Sequence, residues 1–308
     1  MTRSARRRLM LLSMLSLRLL AMTVVSADRS PLAAQAPRDH TTGRQAGGQP
    51  AWVLITGLVG GVAGFRALEA VLQRDSARVV IIDPYRLSLD SQDVSYAALA
   101  RRVDRALISL NVYDAHVVGH ANGAGVAIRL AALTPTRVAS LTFLDAGALR
   151  ASAGTTLRGS IRFIPLVTRF PGGRAYVRGR FANGVREHAG QHGWLTDSVQ
   201  RAYVDPMLND ISRVVALAMR LHQTMERDTL EQIIDQLRVP VTVILGGAPH
   251  KSGAGPDELD LLRPLGARLA IVRLPGIGHF PHEEAPHVVA NLLGTVRRRG
   301  AMVARVQP

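Results

Sequence analysis

The chain has 308 residues, 47% of them hydrophobic, which supplies a sizeable core and excludes a disordered chain. It has no cysteine, which excludes disulfides, thiolate zinc sites and a cysteine-linked lipid anchor. The formal net charge of +15 is almost all arginine, spread along the chain without a nucleic-acid-binding motif, so no nucleic-acid partner is expected.

Met1 to Arg8 is basic, Leu9 to Val25 is mostly apolar and interrupted by Arg18, and small residues precede Asp28. That order predicts a signal peptide over residues 1–27 and an exported protein, periplasmic or secreted. The apolar run is short for a bilayer and carries a charge, so no stable membrane insertion is expected once it is removed. An uncleaved N-terminal anchor is the alternative. Residues 28–49 are rich in Pro, Ala, Gly and Gln without an apolar period, which predicts a flexible linker.

Ala51 to Ile55 predicts a buried strand, followed by a glycine-rich turn and a helix over Gly64 to Gln73. That turn fits neither a phosphate loop nor G-x-G-x-x-G, so no nucleotide cofactor is expected. Ala77 to Ile82 predicts the next strand. Tyr96 to Leu110 predicts an amphipathic helix on Leu99, Val103 and Leu107. Ala115 to Val118 is a third strand, and Ala124 to Leu133 a helix rich in Ala and Leu. Ala139 to Leu144 is a fourth strand, ending at Asp145.

The alternation then stops. Ala146 to Arg238 holds no good strand but several helical pieces, including Ser198 to Leu208, Ile211 to Met225 and Thr229 to Leu237. It resumes with strands at Pro240 to Leu245 and Leu269 to Leu274, and helices at Asp257 to Leu262 and Pro286 to Val296. This pattern predicts a doubly wound, mostly parallel sheet over residues 50–146 and 239–308, with a helical cap at 147–238 over its carboxyl edge.

The third strand runs into Gly119-His120-Ala121-Asn122-Gly123 and then a helix. Strand, tight turn and helix is the setting of the nucleophile elbow G-x-S-x-G, with Ala121 where the serine stands. A methyl group cannot attack a carbonyl, so covalent catalysis there is excluded.

Taken with Leu54 to Leu58, Val239 to Gly246 and Gly276-Ile277-Gly278-His279-Phe280, this stretch resembles the α/β-hydrolase superfamily. The nearest likeness is to its capped group of esterases, carbon–carbon bond hydrolases, epoxide hydrolases and dehalogenases. The resemblance implies His279 as the triad base and backbone N–H groups of Leu58 and Asn122 as oxyanion donors. It usually places the acid after Gly246, where no carboxylate stands before Asp257. Some relatives draw it from the end of the preceding strand, where Asp145 stands. His279, His282 and His287 lack any metal-binding spacing, and no metal is expected. The implied partner is a small apolar ligand or an ester-like substrate. Three readings stay open: a silent relative that binds a small ligand, an enzyme using His279 as general base, and a Ser-to-Ala variant of a carboxylesterase-type hydrolase.

Overall fold

A computed structural model describes residues 38–39, 51–58, 60–74, 77–147, 149–150 and 159–306. The segment read as a signal peptide lies outside them. The strands are β1 (Arg38–Asp39), β2 (Trp52–Ile55), β3 (Val79–Ile82), β4 (Ala115–His120), β5 (Val138–Leu144), β6 (Val241–Gly246) and β7 (Leu269–Leu274). The helices are α1 (Arg66–Arg74), α2 (Tyr96–Ser109), α3 (Asn122–Leu133), α4 (Ile164–Val167), α5 (Gly173–His188), α6 (Asp197–Asn209), α7 (Ile211–Gln223), α8 (Leu230–Gln236), α9 (Pro256–Leu261), α10 (Pro281–Glu284) and α11 (Pro286–Val306).

One sheet orders the strands β1-β3-β2-β4-β5-β6-β7, with β2 to β7 parallel and β1 antiparallel on β3. Strands β2, β3, β4 and β6 are buried at every residue, because helices cover both faces of a parallel sheet. This explains why they read as continuous apolar runs. The chain winds outward from β2 to β3, then returns to place β4 on the other side of β2. The crevice where such a sheet binds ligands therefore opens between the ends of β2 and β4, at Thr56 and Ala121.

Among the described residues no strand lies between β5 and β6. Helices α4 to α7 form the cap around their own apolar cluster, which includes Val177, Val199, Tyr203 and Val215. Two features depart from the expected layout. Helix α8, placed in the cap by sequence, buries Leu230, Ile233 and Ile234 in the main core. Within the stretch read as a linker, Arg38–Asp39 pairs with Ile81 and Val80 as a short edge strand. Cap and core are joined by polar ties. Arg86 donates to Asp210 Oδ2 at 2.8 Å. Glu226, just past α7, accepts from the Tyr96 amide at 2.6 Å and pairs with buried Arg129 at 3.3 Å.

Several ionisable groups are buried. Burial, helped by neighbouring positive charge, lowers His116 to about 4 and His120 to about 3, and holds His282 well below the ordinary imidazole value. Glu283 goes the other way. Burial raises it to about 7 despite the ion pair and hydrogen bond from Arg66.

Two predictions follow from this packing. A Cβ on Gly123 would stand 2.5 Å from Ile55 O and 2.6 Å from Thr56 O, both backbone atoms, whereas one on exposed Gly179 of α5 meets nothing within 4 Å. Gly123→Ala should cost about 3 kcal/mol in urea unfolding, and Gly179→Ala should gain about 0.5–1 kcal/mol. The second concerns pH. The three depressed histidines contribute stability that is present above about pH 6.5 and lost as pH falls toward their folded values. The raised Glu283 contributes stability present below its ordinary value and lost as pH rises through about 7. Buried Asp83 is raised by desolvation in the same sense as Glu283, but three imidazoles outweigh two carboxyls, so unfolding free energy should rise with pH between roughly 4.5 and 6.5. In Glu283→Gln that rise should be steeper, read from denaturant titrations across the range.

Candidate active site

Strand β4 enters α3 through Ala121, whose φ of 48° and ψ of −121° form a sharp turn at the helix N-cap. The flanking glycines are required by space. A Cβ on Gly119 would lie 2.7 Å from the backbone of Gly123 and Ala124, and one on Gly123 would strike the end of β2. The Ala121 methyl faces Gly57, where an added Cβ would stand 3.3 Å from it. The turn after β2 and the elbow thus lie against each other. Asn122 opens α3, so its amide is one of the helix's N–H groups without an intrahelical partner. Its side chain is occupied elsewhere: Nδ2 donates to Tyr96 Oη at 2.8 Å. Leu58, half-buried, lies in the same β2 turn.

His279 stands in the turn before α10. Its Nδ1 lies 2.7 Å from Asp145 Oδ2, although 134 residues separate them. Asp145 occupies the end of β5 with φ of 42°, a second strained non-glycine residue on the same sheet edge. Its other oxygen accepts from the Gly246 amide at 2.8 Å. Burial alone would raise this carboxyl. The hydrogen bond and charge of His279, the Gly246 amide and His250 outweigh it and hold Asp145 below the usual carboxylate range. With Nδ1 donating to the carboxylate, the free lone pair of a neutral His279 is on Nε2.

Three further side chains shape the site: His250 and His120 carried no signal in the sequence, and Glu284 follows the stretch that resembles the histidine loop. His250 brings Nε2 to 2.7 Å from the same Asp145 Oδ2, and its Nδ1 lies 2.8 Å from Ala248 O. It stands in the loop after β6, where a carboxylate was sought. His120, inside the elbow, donates from Nε2 to the His279 carbonyl at 2.9 Å and so ties the histidine loop to the elbow strand. Its depressed value keeps it neutral, and the accepting carbonyl puts the ring proton on Nε2. Glu284 gathers the loop from below, accepting from the amides of Gly278 and Phe280 and from Gly190 and Gln191 of the cap.

Of the other histidines weighed, His282 packs on Phe65 and His120, and His287 is exposed on α11. The donor atoms of Asp145, His250 and His279 lie within 4.8 Å of one another, and both imidazoles are hydrogen-bonded to the carboxylate.

A cavity of about 290 Å³ lies between core and cap, walled by Leu58, Gly60 and Gly61 on one side and Tyr203, Met207 and Leu217 on the other. It is mainly apolar, with Asp83 and Arg86 among its lining residues. Ala121 and His279 do not line it, and Leu58 is its link to the elbow.

Several known proteins are similar to this chain at low identity. The mouse (Mus musculus) sn-1-specific diacylglycerol lipase ABHD11 is 25% identical over 253 residues, 77% of each chain. The solved structure of a bacterial membrane phospholipase A superposes with a TM-score of 0.63 at 19% identity, covering 87% of this chain and 88% of that one. A thermophilic esterase from Thermogutta terrifontis gives 0.61 at 18% identity, covering 86% and 93%. At such identities the structural likenesses show the fold. Among the described residues no helix is long and apolar enough to cross a membrane. Residues 26–292 match the Alpha/beta hydrolase family, and the chain belongs to it.

Proposed function

We propose that this protein binds a small apolar or ester-like ligand between cap and core without serine-type turnover. The observation that carries the reading is Ala121 at the apex of an otherwise complete elbow. The sharp backbone turn and helix N-terminus at Ala121 and the His279–Asp145 pair are all present, and the residue at the apex carries no atom that could attack a carbonyl. The apolar cavity beside Leu58 supports a ligand role, as does the likeness to proteins described as lipases and esterases.

A second reading has its own observation. His279 donates through Nδ1 to a carboxylate held below its usual range, which leaves Nε2 as acceptor. A base oriented this way can take a proton from water or from a bound substrate without a covalent intermediate.

The two readings separate in one experiment. The wild-type chain should remain unlabelled by a serine-directed fluorophosphonate and inactive on activated short-chain esters. Ala121→Ser should gain labelling and weak esterase activity, because the elbow backbone already aims its Cβ at the β2 turn. Adding His279→Ala should abolish the gain, and Asp145→Asn should lower it by up to about 10⁴-fold. Stoichiometric labelling of wild type near the elbow would overturn the proposal. Hydrolysis by wild type that is lost in His279→Ala, without labelling, would establish the general-base reading.

A further inference from the structure

The 41 residues from Ala146 to Arg186 contain eight arginines and no acidic residue. The described part of this segment, entering the cap, also carries large apolar side chains outward. Phe163 is 52% exposed, Leu166 53%, Phe170 62% and Tyr176 63%. Phe163, Leu166 and Phe170 recur at helical spacing on and beside α4, while Ile161, Ile164 and Val167 pack on the cap cluster. The outward set is therefore one face. A turn closed by Gly173 N to Phe170 O at 2.9 Å leads into α5, where Tyr176 and Arg180 share an exposed side four residues apart. Arg162 and Arg169 are exposed beside these apolar groups, and the Arg162 guanidinium lies 4.7 Å from the Phe163 ring centre.

We propose that this cap face docks on an anionic lipid surface. Aromatic and aliphatic side chains interleaved with arginine suit the boundary between headgroups and acyl chains. The lack of any carboxylate in the segment means nothing on it repels acidic headgroups. A nucleic acid would use the arginines but leave Leu166 and Phe170 unexplained, since an apolar surface without groove-reading groups gains little from a phosphate backbone.

Hydrogen exchange on the full chain tests the idea. Vesicles of mixed phosphatidylglycerol and phosphatidylcholine should protect residues 161–176, and phosphatidylcholine alone should not. Phe163→Ser/Leu166→Ser/Phe170→Ser should lower vesicle binding about tenfold or more while circular dichroism is unchanged, because all three side chains are more than half exposed. Arg162→Gln/Arg169→Gln should weaken binding and its salt dependence together. Vesicle binding that leaves 161–176 unprotected would overturn the proposal. So would stronger protection of the same residues by duplex DNA or RNA.

A separate observation concerns His250. Its Nδ1 faces the Ala248 carbonyl, which only accepts, so the ring's N–H is used there. Its Nε2 faces Asp145 Oδ2 at 2.7 Å, and that oxygen already accepts from His279 Nδ1. Two lone pairs do not meet at this distance. We infer that one additional proton lies between His250 and Asp145, so that the Asp145–His250–His279 cluster is neutral overall, and that His250 is a positioning residue for Asp145. A bound Zn²⁺ would hold tetrahedral ligand atoms about 3.3 Å apart, wider than the two 2.7 Å contacts. Nitrogen-detected imidazole NMR of the full chain, with His250→Asn for assignment, should show protons on both His250 nitrogens or a carboxylic proton shared with Asp145. A lone Nδ1 proton with no shared proton would overturn the inference. So would one equivalent of Zn²⁺ binding by calorimetry that His250→Ala abolishes.

Discussion

The site depends on the close approach of two backbones, the elbow and the end of β2. Gly123 leaves no room for a side chain between them, and Gly119 leaves none between β4 and the start of α3. The turn that joins them then puts Ala121 at φ 48°, a conformation that costs a residue with a Cβ roughly 1–3 kcal/mol. The cost is offset by the packing of β4 and α3 on their neighbours, in which Val117, Val126 and Ile128 are fully buried. The elbow is thus enforced by the core and does not depend on a hydroxyl at position 121.

The rest of the site hangs from neighbouring strand ends by polar contacts at long sequence separation. The Ala121 amide donates to Leu144 O, and the Asp145 amide to Ile244 O. Position 121 and the carboxylate are therefore set by one hydrogen-bonded sheet edge. The histidine loop is fastened from two sides, by His120 through the His279 carbonyl and by Glu284 through loop amides. Because Glu284 also accepts from the cap at Gly190 and Gln191, the cap's exit from α5 and the His279 loop are positioned together. This is a physical reason for cap and base to act as a unit.

What was legible in the sequence divides along the range of the forces involved. Parallel strands buried on both faces appear as unbroken apolar runs, so β2 to β6 could be placed along the chain, whereas their order in the sheet came from the structure. Helix α5 could not, because four arginines and three glycines break up its apolar spacing and only Val177, Ala182, Val185 and Gly173 are buried. The position of Asp145 at a strand end was visible, but its reach to His279 was not. Likewise His250 and His120 had no signal, since each meets its partner across more than a hundred residues. The same limit hid the polarity of the cap: its arginines were counted as a property of the whole chain, and only the outward placement of Phe163, Leu166 and Phe170 makes them a surface.

Ala121 and His250 belong to one chemical logic. A serine nucleophile requires its base to become an imidazolium, and the buried acid earns its place by stabilising that charge. An acid whose own charge is already balanced by a second histidine does this less well. Where position 121 bears a methyl group, no such imidazolium forms through serine attack, and the demand for an uncompensated carboxylate disappears. The balanced cluster then has an advantage of a different kind, because a buried anion with a single neutral partner is costly and a compensated one is less so. The proton inferred between His250 and Asp145 and the methyl group at position 121 are thus chemically compatible, and a serine placed at 121 would face a base whose carboxylate partner is shared with a second histidine.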